Sequence, residues 1–144
     1  MEFRKINPEE TYSIRHRVLR PHQTLFDCKY PADFDSNSFH LGAFLDHRLI
    51  SVASFYQEVN PALSGEIQYR LRGMATLPDF LGKKAGSGLL FKGLEIIRKR
   101  KSDAFWCNAR TTVSDFYKSL GMDEMGEVFD IYPIGPHKLM YMYL

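Results

Sequence analysis

Three groups of residues have types and spacings that suit chemistry. The first is Leu81-Gly82-Lys83-Lys84-Ala85-Gly86-Ser87-Gly88, which follows a strand-like run and leads straight into a helical one. Glycine permits positive φ and places no Cβ in the way. The loop N–H groups and the helix N-terminus then converge on one point, an anion site suited to a pyrophosphate. Lys83 and Lys84 add positive charge there. The spacing is neither the Walker A pattern nor Gly-x-Gly-x-x-Gly, because the glycines stand at 82, 86 and 88. A tight turn that caps a helix accounts for the same residues without a ligand. The second group is Arg70 and Arg72, which share one face of a strand and suit a carboxylate or phosphate. An outer face paired with acids such as Glu58 explains them equally well. The third group is Tyr117 and His137. Tyr117 is either a proton donor or a helix core residue four positions after Val113. His137, between Pro136 and Lys138, is either a substrate or catalytic residue or a structural hydrogen-bonder. His16 and His22 have no metal-ligand spacing, and no metal is expected.

The elements that must hold these residues are legible from periodicity. Phe3 to Ile6 reads as a first strand. Asn7-Pro8-Glu9-Glu10 opens a helix with Asn7 as N-cap and Pro8 at the first helical position, and Pro21 ends it. His22 to Asn37 reads as loop with one short helix. Ser38–Leu45 and Leu49–Val59 are strands joined by a turn at Asp46-His47-Arg48. A third long strand runs from Gly65 to Thr76, with Ile67, Tyr69 and Leu71 on one face and Gln68, Arg70 and Arg72 on the other. After the glycine-rich loop, Leu90, Leu94 and Ile97 keep helical spacing. The terminal Arg98-Lys99-Arg100-Lys101 run suits the negative end of the helix dipole better than a nucleic acid. Ala104 to Cys107 is a short buried strand. Val113, Phe116, Tyr117 and Leu120 mark a second helix that stops at Gly121. Glu127–Tyr132 and Lys138–Leu144 are the last strands. The order β-α-(loop)-β-β-β-α-β-α-β-β predicts an α+β fold, one mostly antiparallel sheet with helices packed on it.

Composition excludes several classes. The chain has 144 residues, which predicts one domain over 1–144. Charged residues make up 25% and hydrophobic residues 44%, which argues against disorder. Nineteen Lys and Arg against seventeen Asp and Glu leave a formal charge of +2, too small to predict nucleic-acid binding. No apolar run is long enough for a membrane span, and the first residues form no signal peptide. Cys28 and Cys107 belong to no Cys-x-x-Cys pair, so two free thiols in a cytoplasmic protein are expected.

Three segments together resemble a known family. The stretch from Arg72 through Pro78 and Gly86 to Leu90 is similar to the acetyl-coenzyme A motif of the GNAT N-acetyltransferase superfamily. Phe116-Tyr117-Lys118-Ser119-Leu120-Gly121-Met122 resembles that family's Phe-Tyr-x-x-Leu-Gly-Phe segment. Ile134-Gly135-Pro136-His137-Lys138-Leu139-Met140 is similar to the Ile-Pro-His-x-x-Met tail of ElaA-like members. The matches occur in the family's order and span essentially the whole chain. Two positions depart from the pattern: Leu81 stands where the motif has Gln or Arg, and Lys84 where it usually has its first Gly.

The resemblance implies a GNAT-like sheet that splays after the fourth strand, with helices on both faces. It implies acetyl-coenzyme A as co-substrate. The pantetheine arm would lie along Met74, Ala75 and Thr76 like an added strand. The pyrophosphate would sit on the N–H groups of Leu81, Gly82, Lys83, Lys84, Ala85, Gly86 and Ser87, and Asn108 would hydrogen-bond the pantetheine or a structural water. Tyr117 would be the acid that protonates the departing thiolate. Glu58, Glu66, His137 or a water relay would be the base. Arg70, Arg72 and His137 would meet the acceptor, a small amine with an anionic group. The expected reaction is N-acetylation of that amine, and the alternative is a non-catalytic acyl-coenzyme A-binding regulatory module. Many relatives of this kind are dimers, so a homodimer is one expectation, although no residue here marks an interface.

Overall fold

In the computed structural model, which describes residues 1–144, β1 (Glu2–Ile6) leads into a helical stretch. This comprises a 3-10 turn (Pro8–Thr11), one turn of α-helix, α1 (Tyr12–Ile14), and a π-helical segment (Arg15–Leu19). The Asn7 N–H donates to the Glu10 carboxylate at 2.7 Å, which fixes the entry to this stretch. A short 3-10 helix, Leu25–Cys28, interrupts the following loop. Then come β2 (Phe39–Leu45), β3 (Arg48–Gln57), β4 (Gln68–Thr76), α2 (Ala85–Lys99), β5 (Ala104–Arg110), α3 (Ser114–Ser119), β6 (Asp123–Ile131) and β7 (Gly135–Tyr143). Asp46 and His47, both at positive φ, make the tight turn between β2 and β3.

The strands form one sheet in the order β1-β2-β3-β4-β5-β7-β6. Every pairing is antiparallel except β4 with β5, which are parallel and joined by α2. Four strands have a bound that differs from the sequence reading by three residues or more. β4 begins at Gln68 rather than Gly65, β5 runs on to Arg110 rather than ending at Cys107, β6 begins at Asp123 rather than Glu127, and β7 begins at Gly135 rather than Lys138. The extension of β5 is made by backbone pairing with β7, Asn108 with Leu139 and Arg110 with His137. That ladder is indifferent to the polarity of the side chains.

The main core lies between the sheet and α2. Leu89, Leu90, Leu94 and Ile97 pack on Phe39, Leu41, Phe55, Leu71, Phe105 and Cys107. Each such aliphatic side chain stabilises the fold by about 1.5–3 kcal/mol. Gly88 and Gly93 let the helix come this close: a Cβ on Gly88 would meet Phe3 at 2.1 Å, and one on Gly93 would meet Phe55 at 2.2 Å. On the opposite face Ile14 packs with Val52, Ala75 and Leu77.

β4 and β5 stay together only from Gln68↔Ala104 to Arg70↔Trp106. The cause lies in β4. Val52 pairs with Ala75 and Ser54 with Arg72, so Gly73 and Met74 oppose the single residue Ala53. This is a β-bulge, and Gly73 supplies the φ of +62° that it requires. The extra residue adds twist and turns the end of β4 away from β5. It also resets the alternation of faces, so that Met74 turns to the α2 core while Arg72 and Gly73 face the other side.

Candidate active site

The divergence of β4 and β5 opens a cleft of about 310 Å³. One wall is Arg70 to Met74 of β4, and the other is Cys107 to Arg110 of β5. Tyr117 of α3 lines it, as do Arg20 and Tyr30 from the region after α1, and Ile131, Ile134 and His137 from β6, β7 and their turn. Four arginines and one histidine face this space, and no Asp or Glu does.

The four arginines are not equivalent. Arg70, at the vertex, donates to Glu58 at 3.1 Å and lies over the Trp106 ring. Arg110, at the end of β5, is exposed. Arg72 lies 4.3 Å from the Tyr30 ring centroid and forms no ion pair or hydrogen bond with the protein. Burial and the neighbouring Arg70 lower its pKa from the ordinary arginine value, although a guanidinium remains charged. Arg20 approaches the same ring at 5.4 Å and donates to Gln23. Two of the cleft's guanidiniums thus meet at Tyr30, and no carboxylate lines the cleft beside them.

Tyr30 is itself fixed from below. Arg15 is fully buried, lies 4.1 Å from the Tyr30 ring and makes a two-point ion pair with Asp33. Arg15 also donates to the Cys28 carbonyl, Ser54 and Tyr56. The Tyr30 N–H donates to Asp33. Burial would raise the Asp33 pKa, but Arg15, Tyr56 and the Tyr30 N–H together hold it below the usual carboxylate range. His40 completes the network, bonded through one ring nitrogen to Ser54 and through the other to the Asp33 carbonyl.

On the opposite wall, Tyr117 is buried, packs edge-on against Phe116, and its hydroxyl has no hydrogen-bond partner in the protein. Burial beside Cys107 pushes its pKa well above the ordinary phenol value, so it stays protonated and keeps a hydrogen to donate. Burial likewise pushes the Cys107 thiol up to about 12, which leaves it neutral and a poor nucleophile. His137 is buried at the mouth of β7. Its ring stacks on Phe129, and its Nδ1 lies 2.7 Å from the Gly135 carbonyl.

The glycine-rich loop sits at the outer end of β4, beyond the cleft itself. Lys84 adopts the left-handed conformation, φ +64° and ψ 23°, and immediately precedes α2. The first helical bond runs from the Gly88 N–H to the Lys84 carbonyl, so the N–H groups of Ala85, Gly86 and Ser87 precede the ladder. A Cβ on Gly86 would meet Met74 and Phe116 only at 3.8 Å. The β5-facing edge of Met74, Ala75 and Thr76 carries no ladder partner, while their other edge is held by β3 and by the Ser51 hydroxyl.

The structure therefore gathers Arg70, Arg72, Met74, Asn108, Tyr117 and His137 around one cleft. Leu81 to Ser87 flank it rather than line it. Glu58 and Glu66 lie outside it, the first tied to Arg70 and both exposed. Sequence reasoning missed Arg20, Tyr30 and Arg110. Only the placement of Arg20 beside Pro21 and of Tyr30 beside Pro31, at points where the chain must turn, hinted at them. No group of three or more His, Cys, Asp or Glu could hold a metal ion, and no helix is long and apolar enough to cross a membrane.

A parallel strand pair opened by a bulge, with a glycine-rich helix start at its mouth, agrees with the splayed sheet that the sequence resemblance implies. The family model described as "Acetyltransferase (GNAT) family" matches residues 3–122, and the chain belongs to that family. It is 48% identical over 141 residues to a Bacillus subtilis (strain 168) protein named "Uncharacterized N-acetyltransferase YitI", covering 98% of this chain and 95% of that one. The fold is shared with Escherichia coli ElaA, at a TM-score of 0.77 and 17% identity over 97% of each chain. It is also shared with an aminoglycoside 6'-N-acetyltransferase solved with coenzyme A, at a TM-score of 0.74 and 11% identity over 99% of this chain and 97% of that one. The family transfers an acyl group from acyl-coenzyme A to an amine-type acceptor.

Proposed function

We propose that this protein moves an acetyl group from acetyl-coenzyme A directly to the primary amine of a small acceptor that carries a carboxylate or phosphate. The observation that carries the reading is Arg72: a half-buried guanidinium without a protein partner, in a cleft with no acid, beside the divergence of the strands. An unspent guanidinium fork favours a planar anion.

The residues present suit the co-substrate. The free edge of Met74, Ala75 and Thr76 offers backbone groups to the pantetheine amides, with Asn108 across the gap. The loop Gly82, Lys83, Lys84, Ala85, Gly86 and Ser87 offers N–H groups and two ammonium groups to the pyrophosphate, whereas the Leu81 N–H already donates to the Pro78 carbonyl. With the thioester between β4 and β5, the acceptor amine attacks the carbonyl carbon, a C–N bond forms and the C–S bond breaks. The Tyr117 hydroxyl donates a proton to the leaving sulfur. Direct transfer is favoured over an acyl-cysteine route because Cys107 is held as a neutral thiol. The two free, buried cysteines suit a reducing compartment such as the cytoplasm.

The test is thiol release from acetyl-coenzyme A with a panel of amines in matched pairs, with and without a carboxylate or phosphate. Faster turnover of the anionic members supports the reading. Equal turnover removes the anionic acceptor, and cofactor binding without any turnover leaves the non-catalytic acyl-coenzyme A-binding module.

A further inference from the structure

We propose that His137 is the general base that deprotonates the acceptor's ammonium group, an inference that rests on the amine-acetylation reading above. An alkylammonium resembles the lysine side chain, with a pKa of about 10.4, so roughly one molecule in a thousand or fewer is the free amine at neutral pH. Something must take the proton before attack. The two carboxylates raised by the sequence do not serve, since Glu58 is engaged by Arg70 and both Glu58 and Glu66 lie outside the cleft. Tyr117 and Cys107 are held protonated by burial. His137 is the one imidazole that lines the cleft.

The hydrogen bonding of His137 fixes which nitrogen can act. Nδ1 lies 2.7 Å from the Gly135 carbonyl oxygen, which can only accept. Nδ1 therefore carries the hydrogen, and the neutral ring holds its lone pair on Nε2. Stacking on Phe129 restrains the ring. The charged groups around it are Arg110, its ladder partner on β5, and Arg70, Arg72 and Arg20 across the cleft. Tyr117 on α3 is neutral, and β6 presents the uncharged Phe129. These cations repel a free ammonium, which favours the neutral amine in the cleft.

The protons balance. The ammonium gives one proton to Nε2, and the amine then attacks. As the tetrahedral intermediate collapses, Tyr117 protonates the sulfur, and the second nitrogen proton restores the phenol through water. The net products are the amide, coenzyme A thiol and one proton released from His137 to solvent.

The variant His137→Asn keeps a side-chain N–H near Gly135 and removes the base. It is compared with the wild type for thiol release from acetyl-coenzyme A using the best of β-alanine, γ-aminobutyrate and O-phosphoethanolamine, all protonated at neutral pH. Hydroxylamine, largely unprotonated there, is the second probe. The expected loss in kcat/KM is about 10²- to 10⁴-fold with the protonated amine and less than about threefold with hydroxylamine, which needs no base. Equal losses with both probes would make His137 a structural residue, and no loss would give it no role; either overturns the proposal. Nitrogen-15 NMR of the resting protein should show the Nδ1–H tautomer, and an Nε2–H tautomer overturns it whatever the acceptor. Absence of wild-type turnover with every probe would instead count against the amine-acetylation reading, while the tautomer measurement still decides on His137.

Discussion

Arg70 and Arg72 project from the same face of β4, yet only Arg70 has an acidic partner. Its Nη1 lies 3.1 Å from Glu58 Oε2, whereas Arg72 rests on Tyr30 with its donors unspent. Glu58, the residue after β3, lies alongside the start of β4, before the bulge. Arg72 adjoins the bulge, where β4 has left β5 and the loop after α1 takes over the neighbouring space. One arginine therefore braces the vertex of the cleft, and the other is available to a ligand.

Arg72→Lys should raise KM for a carboxylated or phosphorylated amine by about 10- to 100-fold, the range for a lost hydrogen bond to a charged group. Affinity for acetyl-coenzyme A should not change. Arg70→Lys keeps an ion pair with Glu58 within reach and should change KM far less. Steady-state kinetics on both variants check this. Equal effects at the two positions would mean that the pair acts on the sheet and not on the acceptor.

Two glycines of α2 separate cofactor binding from packing. A Cβ at Gly86 makes only ordinary contacts, at 3.8 Å, with Met74 and Phe116, whereas one at Gly88 would lie 2.1 Å from Phe3. Gly86→Val should leave the unliganded melting temperature nearly unchanged and abolish its rise with acetyl-coenzyme A. At a hundredfold excess over Kd that rise corresponds to about 2.7 kcal/mol, or roughly 5–10 °C for a chain of this size. Gly88→Val should instead lower the unliganded melting temperature, because Phe3 or the helix must move. An unchanged ligand-induced rise in Gly86→Val would remove the helix start from the cofactor site.

The parts of this architecture that follow local rules were legible in the chain. Asn7-Pro8 starts a helical stretch, Asp46-His47 turns a hairpin, Gly82 stands between β4 and α2, and Gly86 lies in the first turn of α2. The cleft was only half legible, because its walls come from segments near residues 20–30, 70–74, 107–117 and 131–137 that meet through the divergence of two strands. Periodicity places Arg72 on a face but does not show that Tyr30 lies beneath it. The bulge at Gly73 escaped for a related reason: one extra residue is visible only against its partner strand. β6 was shortened in the reading because nearly all of it is exposed, so it carries little burial pattern to detect.

The buried network behind Tyr30 should make stability pH-dependent through His40. Burial lowers the His40 pKa below its ordinary value. The unfolded chain therefore takes up this proton near pH ~6.5 while the folded protein resists it. The stability from neutral His40 is complete above that pH and declines as pH falls toward its folded value. Asp33 is also depressed, so its contribution holds above about pH 3.9 and is lost only in stronger acid. Urea midpoints at pH 7 and pH 5 should show a loss that is smaller in His40→Asn, whose other histidines are unchanged. The same loss in both proteins would assign it elsewhere.

Tyr117→Phe tests the acid. The hydroxyl has no protein partner, so its removal leaves no buried donor or acceptor orphaned, and the ring keeps its packing on Phe116. Stability and acetyl-coenzyme A affinity should therefore stay close to wild type. The chemical step should suffer, because the thiolate would leave without a proton donor. The expected fall in kcat is about 10²- to 10⁴-fold, with kcat/KM falling in parallel. Burial holds the phenol protonated well above its ordinary pKa, so loss of the donor in the wild type should not limit the rate at mildly alkaline pH. An alkaline limb that disappears in Tyr117→Phe would contradict that protonation state. An unchanged kcat, measured with an acceptor that turns over well, would leave Tyr117 as a core residue that happens to face the cleft, and the leaving thiolate would have to draw its proton from water.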